Sequence, residues 1–291
     1  MFVSIQELVT LASNQNKSIS EVMIEQEMEM TQQSREFIWA KMEKNLQTMK
    51  QAVERSVQGQ GVFSPTGLTG GDAVKMKKYR EKGKTLSGDK ILAGVQYALG
   101  TNEVNAAMGL VCATPTAGSA GCLPAVLTSA IEKLDLTHEQ QLDFLFAAGA
   151  FGLVIANNAS ISGAEGGCQA EVGSASAMSA AALTLAAGGT PYQASQAIAF
   201  VIKNMLGLIC DPVAGLVEVP CVKRNAMGAS FAFIAADMAL AGIESKIPVD
   251  EVIDAMYQVG SSLPTAFRET AEGGLAATPT GRRLQKEIFG D

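Results

Sequence analysis

The run from Ala180 to Gly189, Ala-Ala-Ala-Leu-Thr-Leu-Ala-Ala-Gly-Gly, constrains the fold of this chain more than any other stretch. Small residues at helical spacing let two helix backbones approach closely, and a strand would need alternation instead. The pattern is general. From Ser87 onward, apolar segments at helical period alternate with Gly, Pro and Thr breaks, and strand-like alternation is scarce. The predicted helices cover about 88–99, 102–113, 119–134, 138–157, 169–187, 191–208, 221–241, 249–260 and 279–289. Several starts carry explicit signals. Thr137 with Gln140 makes a capping box, Thr190 precedes Pro191, and Pro248 precedes the acidic pair Asp250 and Glu251. The expectation is an all-α fold with buried Ala/Gly-rich helices.

Residues 1–60 differ from the rest. They are rich in Glu, Gln, Lys and Met and hold a single glycine, Gly59. A short helix fits Ile5–Ser13. Ser18 with Glu21 reads as a second capping box, opening one long helix to about Gln58. This segment is expected to be an N-terminal helical arm packed over a core or a neighbouring subunit, with residues 61–291 forming a helical catalytic domain. The basic cluster Lys75–Lys84 reads as a solvated helix or loop.

Apolar residues make up 47% of the 291 residues, and charged residues only 18%, below the usual share of about 25%. A net charge of −7 gives no support to a nucleic-acid partner, which needs a clustered basic surface. The longest uncharged apolar run, Phe144 to Ala156, falls short of the roughly 20 residues that span a bilayer. No secretory signal opens the sequence. These features predict a cytoplasmic chain with no membrane role.

The five cysteines are an odd count in a long chain, which argues against a disulfide framework. Cys112 and Cys122 lie in apolar helical contexts, where cysteine acts as a small apolar group. Cys168, Cys210 and Cys221 keep different company: Glu165-Gly-Gly-Cys-Gln-Ala-Glu171, Cys210-Asp-Pro-Val-Ala-Gly and Val219-Pro-Cys-Val-Lys-Arg-Asn. Glycine, proline and acidic neighbours suit loops and helix ends. This is no CxxC zinc pattern, and the hypothesis is that three thiolates hold a metal cluster. Structural zinc and electron-transfer clusters are usually closed by four ligands. A three-thiolate [4Fe–4S] site leaves one iron open as a Lewis acid, which suits dehydration.

The one histidine, His138, reads as a solvated residue of a helix's first turn, so a Ser-His-Asp or His-based zinc site has little support. Lys223 and Arg224, two and three residues past Cys221, are the cations nearest to it, and the plain reading of both is helix-surface charge. Ser64-Pro-Thr66-Gly67-Leu-Thr69-Gly70-Gly71 is a candidate anion cradle, in which glycines free backbone amides and hydroxyls add donors.

These motifs, together with Asn102-Glu-Val-Asn105-Ala-Ala-Met-Gly and Ala113-Thr-Pro-Thr-Ala-Gly-Ser-Ala-Gly, resemble the iron–sulfur-dependent L-serine dehydratase (L-serine ammonia-lyase) alpha chain over most of residues 60–290. The resemblance implies a helical fold and a [4Fe–4S] cluster on Cys168, Cys210 and Cys221. It implies L-serine as substrate, with pyruvate and ammonia as products. It places Ser64, Thr66, Gly67, Thr69, Gly70, Asn102 and Asn105 at the substrate, and the mechanism it implies makes Lys223 and Arg224 the candidate catalytic residues that clamp the substrate carboxylate. Two departures stand out. Single-chain members carry a second domain with a Ser-Ser-Ser-His-Thr type motif that is absent here, so a separate beta chain is expected to supply the base. Some members end in a cysteine that serves as a resting fourth ligand, whereas this sequence ends Ile288-Phe-Gly-Asp291. The alternatives are a related iron–sulfur L-cysteine desulfidase and a non-enzymatic helical protein that binds zinc through its thiols.

Overall fold

The computed structural model describes residues 2–290, and among these the fold is all-α. In chain order the helices are α1 (Ile5–Gln15), α2 (Ile19–Thr31), α3 (Arg35–Ser56), α4 (Asp72–Arg80), α5 (Asp89–Ala106), α6 (Cys122–Leu134), α7 (His138–Asn158), α8 (Gly163–Gly166), α9 (Ser174–Ala186), α10 (Pro191–Met205), α11 (Cys221–Leu240), α12 (Val249–Ser262) and α13 (Pro279–Phe289). Two isolated bridges, Phe63 with Gly70 and Cys210 with Arg268, are the only β pairings among the described residues. No described helix is long and apolar enough to cross a membrane.

Helix α9 is the centre. Every residue from Ser174 to Thr184 is buried, and α6, α7, α10 and α11 pack around it. Small side chains make this possible. Gly228 on α11 leaves room for Val172 and Cys122, which an added Cβ would meet at 2.8 and 2.9 Å. The Ser176 hydroxyl donates to the Gly228 carbonyl at 2.5 Å, so a polar atom in the core keeps its partner.

Capping chemistry sets the predicted starts of α7 and α10. Thr137 with Gln140 and Thr190 with Gln193 form complete, reciprocal boxes. At α2 only half of the box forms. Ser18 accepts from the Glu21 amide, but the Glu21 carboxylate turns to Arg35, with two N–O distances of 2.6 and 2.7 Å.

That ion pair belongs to a correction. The single long helix expected to Gln58 is two helices. Gln32 takes a left-handed conformation, φ 55°, and Ser34 recaps the chain by accepting from Phe37. The break folds α3 back on α2, where Trp39 meets Phe146 of α7 at 5.5 Å between ring centroids. The helices of the N-terminal segment bury Ile5, Leu8, Ile19, Leu46 and Met49 in the same core as α9. Asp250, at the start of α12, accepts from the amides of Ile5 and Gln6 and so holds α1 in place.

A second correction concerns residues 88–113. One helix, α5, runs through Gly100, and residues 107–113 are not helical. Gly100 does not end the helix. It is a close-approach site, where an added Cβ would lie 2.1 Å from Ser56 Oγ of α3. Other boundaries move inward: residues 119–121 precede α6, α10 ends at Met205, and the segment after Cys168 opens with a π-turn, Gln169–Gly173, before α9. The first half of the basic cluster Lys75–Lys84 is the exposed helix α4.

Candidate active site

Three segments distant in sequence bring Cys168, Cys210 and Cys221 into one buried region, at 1%, 2% and 5% exposure. Cys168 follows α8 and Gly167, whose φ of 76° would strain any other residue. The π-turn that follows is of a kind frequent at functional sites. Gln169 fastens this segment. Its amide donates to the Leu208 carbonyl at 2.9 Å, its side chain donates to the Met256 carbonyl at 2.8 Å, and it accepts from the Gly207 amide at 2.9 Å. Cys210 is held at both ends of its backbone, donating to Phe267 at 2.9 Å and accepting from Glu269 at 2.8 Å. Cys221 is the first residue of α11.

Asn225, one turn further along α11, joins this end to residues 113–121. Its side chain donates to Gly118 at 2.8 Å and to Cys221 at 3.0 Å, and accepts from the Gly121 amide at 3.1 Å. The same loop sends the Thr116 hydroxyl to the Glu171 carboxylate in a very short hydrogen bond. Glu171 lies on the π-turn and is 7% exposed.

The closest set of donor atoms is the two sulfurs of Cys168 and Cys210 with a Glu171 oxygen, all within 4.8 Å of one another. Cys221 stands outside that trio. Gly163 faces it: an added Cβ would meet Cys210 Sγ at 3.0 Å, Glu269 Oε2 at 3.2 Å and Glu171 Oε2 at 3.3 Å. A hydrogen bond from the Cys210 thiol holds Cys168 below the usual thiol range, with Arg224 adding to the effect. Giving that bond, together with burial, pushes Cys210 up. Burial pushes Cys221 and Glu171 up, and the Thr116 hydroxyl pulls Glu171 part of the way back. Buried soft sulfurs beside a carboxylate could hold a metal, and loading one would release protons.

Arg224 lies on the inner side of α11. Its Nη1 donates to the Ile209 carbonyl at 2.8 Å and sits 2.8 Å from Asp211 Oδ1. Lys223 points the other way, half-exposed, with Nζ 2.6 Å from Asp72 Oδ2 at the start of α4. Ser64, Thr66, Gly67, Thr69 and Gly70 form a closed loop, pinned by Ser64 N to the Thr69 carbonyl at 3.0 Å and Gly67 N to the Ser64 carbonyl at 3.1 Å. Thr66 donates to buried Glu218 at 2.8 Å, two residues before Pro220. The first amides of α4, Asp72 and Ala73, donate to fully buried Glu103. An internal carboxylate therefore occupies the helix start next to the predicted cradle. Within the loop, Thr69 Oγ1 is buried without a partner.

Asn102 and Asn105 donate to the Gly118 and Ala117 carbonyls at 3.2 and 3.0 Å, so both carry the loop that brings Thr116 to Glu171. Cys122 is buried beside Asn225, with its thiol directed at the Asn225 carbonyl at 3.4 Å, and Cys112 is half-buried. His138 is exposed and lies 2.6 Å from Glu43. Sequence reasoning missed Glu171, Glu218, Glu103, Asn225 and Gly163. For Glu171 a signal existed, because it stands one helical turn after Cys168.

An all-helical protein in which Cys168, Cys210 and Glu171 bring three donor atoms within 4.8 Å of one another is of a class that could hold a metal ion. The chain belongs to the serine dehydratase alpha chain family, whose profile matches residues 14–276. It is 63% identical over 290 residues to the "Probable L-serine dehydratase, alpha chain" of Bacillus subtilis (strain 168), covering 100% of this chain and 96% of the relative. It is 41% identical over 290 residues to the L-serine dehydratase alpha chain of Peptoniphilus asaccharolyticus, covering 99% of each. The L-serine dehydratase TdcG of Escherichia coli (strain K12) is 37% identical over 280 residues, which are 94% of this chain but 61% of that longer protein.

Proposed function

We propose that this chain is the alpha chain of an iron–sulfur L-serine dehydratase that forms pyruvate and ammonia. In this reading Cys168, Cys210 and Cys221 hold a [4Fe–4S] cluster. The supporting observation is the gathering of these thiols, 1–5% exposed, around a wall where Gly163 leaves out the Cβ that would touch Cys210. Soft sulfur donors in a dry setting fit such a cluster. When bound, it supplies an open iron that acts as a Lewis acid toward the β-hydroxyl of L-serine.

The chain's own residues do the rest of the positioning. Gln169 and Asn225 fix the three cysteine segments to one another. Arg224, paired with Asp211 and close to Cys168, offsets the negative charge of the thiolates. Lys223 is the more accessible cation and can exchange Asp72 for a substrate carboxylate, beside the loop of Ser64, Thr66, Gly67, Thr69 and Gly70. Asn102 and Asn105 support Thr116 behind Glu171. The α-proton is taken by a base from a separate beta chain, and the longer Escherichia coli relative has additional length in which such a part could lie. Loss of that proton and of β-hydroxide leaves 2-aminoacrylate, which tautomerises and hydrolyses to pyruvate and ammonium.

A second reading has an observation of its own. The tightest donor set is Cys168, Cys210 and Glu171, with Cys221 outside it, and two sulfurs and a carboxylate suit a single zinc ion.

One anaerobic preparation with the cognate beta chain separates the readings. A brown protein with about four irons and four sulfides per chain that makes pyruvate from L-serine faster than from L-cysteine supports the proposal. Cys168→Ser, Cys210→Ser and Cys221→Ser should each lose iron and activity, while Cys112→Ser and Cys122→Ser keep both. A colourless protein with one zinc per chain sinks the iron–sulfur reading.

A further inference from the structure

A cavity of about 360 Å³ lies between the segment leading to Cys168 and helix α12, and the thiol site makes no use of it. Glu165, Gly166, Tyr257, Ser261 and Arg268 line it, with an apolar wall that includes Ala170 and Met256. Arg268 makes no ion pair among the described residues. One of its terminal nitrogens donates to the Ser261 carbonyl, while its Nε is buried without any acceptor. A guanidinium left short of acceptors favours one brought in by a ligand. Glu165 lines the same cavity. One of its oxygens accepts from Ser160 at 2.6 Å, and its carboxylate too has no cationic partner among the described residues.

A guanidinium and a carboxylate in one cavity, not paired with each other, complement a ligand that carries both charges. We propose that this cavity binds a small α-amino acid as its zwitterion, with the carboxylate on Arg268 and the ammonium on Glu165. The alanine and methionine wall leaves space for a short side chain, and the exposed Tyr257 and Ser261 mark the way in. The site is separate from the thiols but joined to them. Glu165 and Gly166 lead directly into Gly167 and Cys168, and the Arg268 backbone is bridged to Cys210. The ligand class goes beyond the dehydratase reading and does not depend on it.

The probe is ¹⁴C-labelled L-alanine, which has no hydroxyl to lose, in equilibrium dialysis against the full-length protein with its beta chain. Saturable binding is expected, weakened roughly tenfold or more by Arg268→Met and by Glu165→Gln, as for loss of a charge-assisted contact. Propionate and L-alaninamide, each lacking one charge, should compete at least about tenfold less well. Cys221→Ser should leave the binding unchanged. Glu165 is exposed, so its variant reads the site even where the Arg268 variant does not fold. No saturable binding, binding untouched by Glu165→Gln, binding lost in Cys221→Ser, or propionate competing as well as L-alanine would each overturn the proposal. A protein that binds L-alanine this way but holds no iron removes the iron–sulfur reading and leaves this one standing.

Discussion

Arg224 and Asp211 face each other across the cysteine segments, Nη1 to Oδ1 at 2.8 Å, with Asp211 only 2% exposed. The other Asp211 oxygen accepts from the Leu275 amide at 2.7 Å. The pair ties α11, which begins with Cys221, to the loop that carries Cys210. Arg224→Ala strands a buried carboxylate, so it should cost about 3–5 kcal/mol. Adding Asp211→Asn should recover part of that loss. Urea unfolding of the two single variants and the double variant measures the coupling. A single-variant cost below about 1 kcal/mol, the level of a surface pair, would show that the ion pair does not hold the segments together.

Under the proposed metal reading, Gly163 predicts a loss of metal without a loss of fold. Its φ is not in the left-handed region, so alanine is conformationally acceptable there. The added methyl would press on Cys210 Sγ at 3.0 Å and on two carboxylates. Gly163→Ala should cost about 1–3 kcal/mol from overpacking and lower the metal content well below wild type, with helix content by circular dichroism unchanged. Full metal loading in this variant would place the metal elsewhere.

Glu103 predicts a pH dependence of stability. Burial pushes its carboxyl up to about 7 from an ordinary value of 4.5. The Asp72 and Ala73 amides and Lys223 pull it down, while Asp72 pushes it further up; Lys75 also lies within its field. A folded value above the unfolded one favours the protonated, folded state. The contribution is therefore complete below pH 4.5 and is lost as pH rises through about 7, amounting to about 3 kcal/mol at most. Glu103→Gln does not titrate and should lack this slope. Denaturant midpoints for both proteins at pH 5 and pH 7.5 give the comparison. Equal slopes would rule Glu103 out as the source.

Glu218 predicts how the glycine-rich loop is held. It is 4% exposed, and the Thr66 hydroxyl is its hydrogen-bond donor, at 2.8 and 3.0 Å to its two oxygens. Thr66→Ala should destabilise the protein by about 1–3 kcal/mol, the usual cost of an unsatisfied buried acceptor. Thr66→Ser should restore most of it. A serine variant as unstable as the alanine variant would assign the loss to packing of the threonine methyl instead of to the hydroxyl.

Much of the helical plan was legible because it is local. The boxes at Thr137 and Thr190 satisfy amides within three residues of the cap, so their chemistry is written in adjacent letters. The break at Gln32 was not legible, since no Gly or Pro marks it. It forms because Arg35 reaches back to Glu21 and Trp39 reaches Phe146. Gly100 misled in the opposite direction. It resembles a helix end, but its missing side chain admits Ser56 from another helix. At the candidate site, three cysteines among Gly, Pro and acidic residues were conspicuous by type. Glu103 and Glu218 were not, because a carboxylate looks the same in sequence whether it faces water or a helix start.

The sequence alone determined an all-helical chain and a central helix of small residues, and it singled out three cysteines by the residues beside them. These follow from periodicity, side-chain volume and the chemistry of neighbours. Only the tertiary structure decided which groups meet: Glu171 with Cys168 and Cys210, Arg224 with Asp211, Lys223 with Asp72, and Arg268 with Glu165 in one cavity. Side chains on separate segments share an environment only after the helices pack. Burial then sets both the charge each group carries and the partner it must find.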